Sequence, residues 1–534
     1  MKNRRLILYI LLGFVVFSLW SAWQKDYGPK PITEQPTAKA DQAVPTLAKP
    51  KPTIAVTKIP AKRIIHARTD VLDVAIDTLG GNVISAKLLK YPADLKTPDI
   101  PIQILTPKPD ELYIAQSGLI GVLNHKPLQY TATQKKYILS PDQKELQVKL
   151  SGRNGRGLLV TKTFRFTQGS YAIDVNYQIN NQSGKNWSGQ FYTQIKRKKP
   201  AAKGGMFILH TFTGAAISSP EKPYEKLSYA KLDKEELARD IPGGWLAMQQ
   251  RYFLSAWIPD QSKTHHYYSH VADDIYTIGM TNGIDVAAGK QNNFGAKLYV
   301  GPEIQENLAP LANHLDLTID YGWLWIISVA MFWLLQHIYN FVGNWGWAIV
   351  ILTVLIKLVF YKFSEKSYIS MAKMRTLAPK MKALKERYGD DKQKMSQATM
   401  ELYKKEKINP LGGCLPQLIQ IPFFIALYYV LIEAVQLRQA PFIFWIHDLA
   451  VRDPYFILPV LMGICMFLTQ KLTPMSPDPS QQKMMMFMPV IFTVLFASFP
   501  AGLVLYWLVN YLVSGLQQWY IMRKYDRQQQ KARA

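Results

Sequence analysis

"WGWAIVILTVLIKLVFYKF", residues 345–363, decides the fold class. Across 345–361 the run is apolar apart from Thr353 and Lys357. Its length meets the ~17-residue lower limit of a bilayer-spanning helix. A charged side chain at bilayer depth costs roughly 2.5–3.5 kcal/mol on insertion scales, so Lys357 needs either a function or a route to the surface.

Working outward, residues 323–338, 416–435, 456–470, 485–499 and 502–519 are also strongly apolar. The first of these is rich in Trp, which favours the headgroup region. If 323–338 crossed, the next helix would export 364–411, a segment with twelve Lys/Arg against six Asp/Glu. Cytoplasmic loops collect Lys and Arg, so 316–342 is read as an interfacial amphipathic helix and 364–411 as cytoplasmic. The N-terminus, "MKNRRLILYILLGFVVFSLWSAW", has a basic start and an apolar run. Trp20 and Trp23 around Ser21 and Ala22 make a poor cleavage site, so 1–23 reads as a retained signal anchor. Six crossings then put both termini in the cytoplasm, and the tail "RKYDRQQQKARA" adds five Lys/Arg there. The net charge of +25 is thereby a membrane-topology signal, and no nucleic-acid partner is expected.

Residues 24–60 are Pro- and Lys-rich, a disordered linker by composition. From 61 to 315 the period changes to two. "LDVAID" (72–77), "LQVKL" (146–150), "FRF" (164–166) and "YAIDVNYQIN" (171–180) alternate, which predicts a large antiparallel β-sandwich with Gly80-Gly81 as a turn. His265, His266 and His270 lack regular ligand spacing and read as solvated loop residues; no metal or cofactor is expected. Cys414 and Cys465 have no CxxC partner and read as small buried thiols. Within 364–411, Met371, Met374, Ala378, Met381, Leu384 and Tyr388 form one helical stripe. "GDD" (389–391) is a turn and a second helix follows, a methionine-zipped hairpin that Pro379 would kink.

Polar residues recur at helical spacing inside the spans: Thr353 and Lys357; Gln417 and Gln420; Asn510, Ser514 and Gln517. Such stripes can simply join neighbouring helices. Lys357 can snorkel to the cytoplasmic headgroups or sit in a hydrated pocket, and physics alone leaves both open.

"MAKMR" (371–375), "GDDKQ" (389–393), "NPLGGC" (409–414), "LRQAPF" (437–442), "WIHDL" (445–449), "DPYFILP" (453–459), "FMPVIF" (487–492) and "GLVLYW" (502–507), in this order, resemble the YidC/Oxa/Alb family of membrane protein insertases. "GGWLAMQQRYFLSAWIP" (243–259) resembles the periplasmic domain of its members from double-membraned bacteria. The resemblance implies a polytopic α-helical membrane protein of six transmembrane helices, five forming an insertase core over 343–534 that includes the cytoplasmic hairpin. It also implies a large periplasmic β-supersandwich domain similar to sugar mutarotases, in the bacterial inner membrane. The activity implied is non-enzymatic: a hydrophilic groove with a basic residue receives nascent and newly synthesised membrane proteins and releases their apolar segments into the lipid bilayer. The implied partners are those substrates and the Sec translocon, with the ribosome and a targeting receptor as candidates for the hairpin. Residue by residue, Lys357 matches the groove's basic position, Thr353 sits one turn before it, and Gln420 lies on the third crossing. Tyr506 and Trp507 match an aromatic pair that contacts substrate; Gln417, Asn510 and Ser514 complete the expected groove lining. Two residues depart from the family pattern: Lys357 stands where arginine is usual, and Lys362 where proline is frequent. Lysine keeps the charge but loses the planar fork. A transporter or channel with a midmembrane polar site is the alternative, since broken helices and polar stripes also mark solute sites.

Overall fold

The computed structural model describes residues 59–122, 126–201, 211–388, 391–406, 415–473 and 479–533. The expected anchor, nearly all of the linker, Cys414 and the side chain of Gln417 lie outside the described residues.

The alternating segment forms two large sheets packed face to face. In space, the first runs Ala238–Pro242, Thr264–Ala272, Ile275–Val286, Trp187–Lys198, Tyr113–Ile120, Asn82–Asp94, Leu72–Asp77, Ile64–Arg68, Lys136–Ile138, with Thr97–Leu105 hairpinned onto Asn82–Asp94. The second runs Glu225–Leu227, Gly214–Ser218, Trp245–Gln250, Phe253–Ile258, Gln291–Pro302, Ala172–Asn181, Leu158–Thr167, Glu145–Arg153, Tyr130–Ala132. Alternation sets the register: Ile173, Val175, Tyr177 and Ile179 are buried while Asp174, Asn176 and Gln178 face outward. Burying each such side chain stabilises by roughly 1.5–3 kcal/mol.

Two adjacent strands abandon alternation. "WLAMQQ" and "FLSAWI" are buried almost throughout, because the segment after Pro302 returns over their outer face. There Trp245 donates its indole N–H to the Asn313 carbonyl (3.1 Å) and Gln249 its amide to that of Thr318 (2.9 Å). Strands covered on both sides read as continuous apolar runs.

The histidines are a correction: all three lie on the strand Thr264–Ala272, not in a loop. His265 is buried with Nε2 2.8 Å from the Asp260 carbonyl, while His266 and His270 pair with Asp240 and Glu236. Strand register turns one of three neighbouring histidines inward.

The C-terminal region is helical: α1 (Trp325–Val342), α2 (Trp345–Val359), α3 (Tyr361–Thr376), α4 (Ala378–Tyr388), α5 (Lys392–Lys405), α6 (Leu415–Glu433), α7 (Ile457–Leu472), α8 (Pro479–Phe496) and α9 (Ala501–Arg533). Gly343, at φ 66°, ends α1, and the Asn344 side chain caps α2 by accepting from the Trp347 amide (3.1 Å). Asp453 starts α7, accepting from Leu458 N at 2.7 Å. α9 is the central helix and packs against α2, α3, α6 and α7.

By length and composition, Gly322–Val342 is long and apolar enough to cross a membrane. α2 and α3 pass that test only as a pair and are bent by 67° at Phe360. Gln420–Glu433, Ile457–Leu472 and Lys483–Phe496 are shorter apolar helices. Helix length therefore does not by itself give a count of crossings.

The arm differs from its expected form. The stripe from Met371 to Tyr388 is not one kinked helix; it divides at Leu377 into α3 and α4. Pro379 falls in the first turn of α4, where a missing N–H costs no helical bond. α4 and α5 close on each other through Leu377, Met381, Met374, Leu402 and Tyr403, a cluster separate from the main core. Asp391 caps α5, and Lys380 reaches Glu406 at 2.6 Å.

Candidate functional site

Lys357, on the last turn of α2, is 3% exposed. Its ammonium donates to Gln420 Oε1 of α6 (3.1 Å) and to Ser514 Oγ of α9 (2.7 Å), so one side chain ties three helices together. Ser514 in turn donates to the Asn510 carbonyl one turn earlier (2.6 Å). Gln517 Nε2 lies 3.4 Å from the Lys357 carbonyl, and its Oε1 is buried with no partner among the described residues. No carboxylate lies within ion-pair distance of Lys357 among the described residues. Lys362, five positions on, is the contrast: its side chain is 84% exposed and faces Glu365.

The other expected residues divide into two groups. Lys357, Gln420 and Ser514 meet directly, and Asn510 joins through its backbone. Thr353 is buried, but its hydroxyl bonds back to the Ile349 carbonyl of its own helix (2.7 Å) and does not touch Lys357. Tyr506 and Trp507 belong to an aromatic block one to two turns away along α9. Phe424 of α6 stacks near Tyr506 (6.4 Å) and Trp507 (4.8 Å), and Phe496 of α8 meets Trp507 edge-on (5.6 Å). The indole N–H of Trp507 is buried without a partner among the described residues.

One wall of the site was not anticipated. Ser364, Ser367 and Tyr368 form a buried face of α3, and the Tyr368 hydroxyl hydrogen-bonds Ser514. Their spacing of three and one is a helical polar stripe of the kind seen at Thr353/Lys357. Assigning the whole of 364–411 to a cytoplasmic arm hid it. Two further side-chain links hold the neighbouring helices: Gln518 of α9 to Thr473 beyond α7 (3.3 Å), and Gln470 of α7 to the Met485 carbonyl of α8.

The combination is a buried lysine node with apolar helices around it. An ammonium has three donors, and two are occupied here by side-chain oxygens, which sit on rotatable bonds. Among the described residues no cluster of three or more His, Cys, Asp or Glu could hold a metal.

A family model described as the YidC periplasmic domain matches residues 64–334, and one described as the 60Kd inner membrane protein matches 337–529. The membrane protein insertase YidC of Coxiella burnetii is 52% identical, with 100% of this chain and 99% of the relative covered. That of Legionella pneumophila is 48% identical over 98% of both chains. A crystal structure of an active YidC insertase covers 85% of this chain and 92% of its own, at 19% identity and a TM-score of 0.39. Matched along both its β-rich and helical regions, the chain belongs to the YidC family of inner-membrane proteins, whose members carry a periplasmic domain and whose curated relatives here are named membrane protein insertases.

Proposed function

We propose that this protein inserts membrane proteins into the inner membrane without enzymatic chemistry, alone or beside the Sec translocon. The carrying observation is the Lys357 node, a buried ammonium held by side chains with no carboxylate in ion-pair distance among the described residues. In the resting state Gln420 and Ser514 occupy the ammonium. An acidic substrate tail arriving from the cytoplasm exchanges with them, opening a polar groove among α2, α3, α6 and α9. Its following apolar segment then passes the Tyr506/Trp507 block into lipid. Low surrounding polarity strengthens the attraction, and with no fixed counterion among the described residues the charge is available. The tail must leave again, so the gain stays modest.

The proposed orientation has six crossings, both termini in the cytoplasm and the β-rich region outside. It is supported by how α1 is held. A Cβ at Gly322, just before α1, would meet the Tyr429 ring near the end of α6. Asn344, just after α1, donates to the Phe442 carbonyl beyond that same end (3.2 Å). A helix of eighteen residues would be about 27 Å long. Tethering both ends to one end of the bundle suits a helix lying along the interface.

In proteoliposomes, Lys357→Arg should insert substrates at near the native rate. Lys357→Ala should slow substrates with acidic tails about tenfold, equivalent to ~1.4 kcal/mol, and Lys357→Glu should slow them more. Equal insertion of acidic and neutral tails by the alanine variant would refute the reading. The α4–α5 arm is proposed to receive substrates, with its ribosome and receptor contacts also proposals. Deleting 379–402 should lower insertion while the Lys357 node stays folded; unchanged insertion removes that role.

A further inference from the structure

The strand Asn82–Asp94 leaves its sheet before it ends. Its ladder with Leu72–Asp77 stops at Leu88, paired with Leu72. Leu89 N still reaches the Val71 carbonyl (2.9 Å); beyond it the strand pairs with Thr97–Leu105, through Pro92 to Pro101 and Asp94 to Thr97. The two strands therefore run on past the sheet ladder as a hairpin, closed by Asp94 Oδ1 accepting from Lys96 N (2.9 Å).

The hairpin projects at the end that meets the helices. Arg251, in the turn between two central strands, donates toward the Ile432 carbonyl at the end of α6 (3.4 Å). Arg438 donates to the Pro92 and Ala93 carbonyls (2.7 and 3.1 Å), and Gln439 to that of Pro92 (3.3 Å). Tyr91 packs edge-on against Phe253 (5.5 Å), fixing the base of the hairpin. Its tip is thus held level with 438–444, where α6 has just ended. Exposed aromatics occur in the segments next to these helix ends, with Trp323 before α1 and Phe444 and Tyr455 between α6 and α7. Trp and Tyr, here Trp323 and Tyr455, favour the headgroup zone.

We propose that the tip of this hairpin rests in the outer-leaflet headgroup layer and is a membrane contact of the β-rich domain separate from the helices. The proposal rests on the orientation given above. A single exposed leucine means little. Here Leu95 and Ile100 are 45% and 56% exposed on an element that projects toward the bilayer, and Lys90 and Lys96 flank them. Apolar side chains enter the acyl boundary while lysine ammoniums remain at the phosphates. Asp94 and Asp99 balance the two lysines, so the contact is apolar and independent of anionic lipid. Its role is to set the height of the domain over the outer end of α6.

The test uses the full chain carrying Cys414→Ser and Cys465→Ser, with a single bimane label at Leu95→Cys, Lys185→Cys or Val494→Cys. Lys185 follows Asn181, the end of a strand whose other end, Ala172, pairs near the helix-facing turn. That places it about 30 Å from the tip end of the sandwich. Val494 is an exposed residue of α8. In zwitterionic vesicles, shallow lipid nitroxides should quench the Leu95 label at least twofold more than the Lys185 label, and deep nitroxides should quench Val494. Adding anionic lipid should change neither result. Val494 quenched with Leu95 open to aqueous iodide overturns the proposal alone. Leu95 shielded from both quenchers means a protein partner, and quenching only with anionic lipid means electrostatic adsorption; either overturns it. Val494 inaccessible to lipid overturns the orientation and the proposal together.

Discussion

Two lysines, one in each half of the molecule, are buried without a carboxylate partner among the described residues, and their surroundings differ. Lys162, on an inward strand position of the sandwich, donates to the backbone carbonyls of Gly81 (2.6 Å), Ser117 (3.0 Å) and Gly80 (3.3 Å). Phe164 and Tyr177 rings stand about its ammonium at 5.1 and 5.0 Å. Burial pushes its pKa well below the usual lysine range, while three carbonyls directed at one nitrogen favour the charged form. Gly80 and Gly81 have φ of 81° and 63°, and a Cβ on Gly81 would come within 2.9 Å of the Lys162 chain. All three acceptors belong to the backbone and cannot rotate away. Lys357 is held instead by a side-chain amide and a hydroxyl, on two different helices. An amine held by backbone closes a turn; one held by side chains on rotatable bonds can exchange partners. Burial alone does not distinguish these two lysines; the kind of acceptor does.

The largest effect should follow from breaking the backbone clamp. Lys162→Met leaves three buried carbonyls without their donor, and we expect a loss of roughly 3 kcal/mol. Pulse proteolysis of the purified chain would measure it. Unchanged stability would mean the clamp closes nothing, and the contrast with Lys357 would fail. A smaller effect should sharpen the other side. Ser514→Ala combined with Gln420→Ala removes both acceptors from Lys357 and should cost about 1 kcal/mol. Because those partners are the exchangeable ones, Lys357 should then react several times faster with a water-soluble amine reagent, while Lys162 stays unlabelled. Equal protection of Lys357 in both proteins would show that packing, rather than these two partners, occupies it.

Some of this contrast was legible in the sequence. Lys357 stands out because an apolar run of its length otherwise carries only Thr353 as a polar residue. Gln420, Asn510 and Ser514 were visible as stripes of helical period, yet period cannot say which stripes face each other. Thr353 shows the limit: correctly spaced, it is satisfied within its own helix. Lys162 was invisible, since in "LLVTKTFRFT" it sits among alternating residues with nothing to mark its ammonium as inward. The strands of 171–180 followed their pattern, whereas those of 245–258 did not, because a later segment covers their second face. Ser364, Ser367 and Tyr368 were lost to the charge count around them, which describes the average of a segment rather than one face of it.

A third buried titratable side chain, this one an acid, offers the smallest test of the same distinction. Glu303 is 4% exposed where the β-rich region meets α6, and its Oε1 accepts from Gln249 Nε2 (3.2 Å). That amide also serves the Thr318 carbonyl, and Gln249 Oε1 accepts from Tyr224 (2.8 Å). Desolvation pushes the carboxyl pKa well above its usual value of 4.5, and the negative charges of Glu433 and Asp320 push it the same way. The folded state therefore binds this proton more tightly than the unfolded chain. Its contribution to stability is fully present below pH 4.5 and is lost as pH rises through the raised folded value. Glu303→Gln keeps the shape and removes the titration. The variant should match the native protein near pH 4.5 and exceed it increasingly toward pH 9, where a gain of about 1 kcal/mol would raise the melting temperature by roughly 2–4 °C. Differential scanning fluorimetry across that window measures the difference directly. A variant less stable at every pH would mean that Glu303 is ionised and held by its amide, making it the acidic counterpart of the Lys162 clamp.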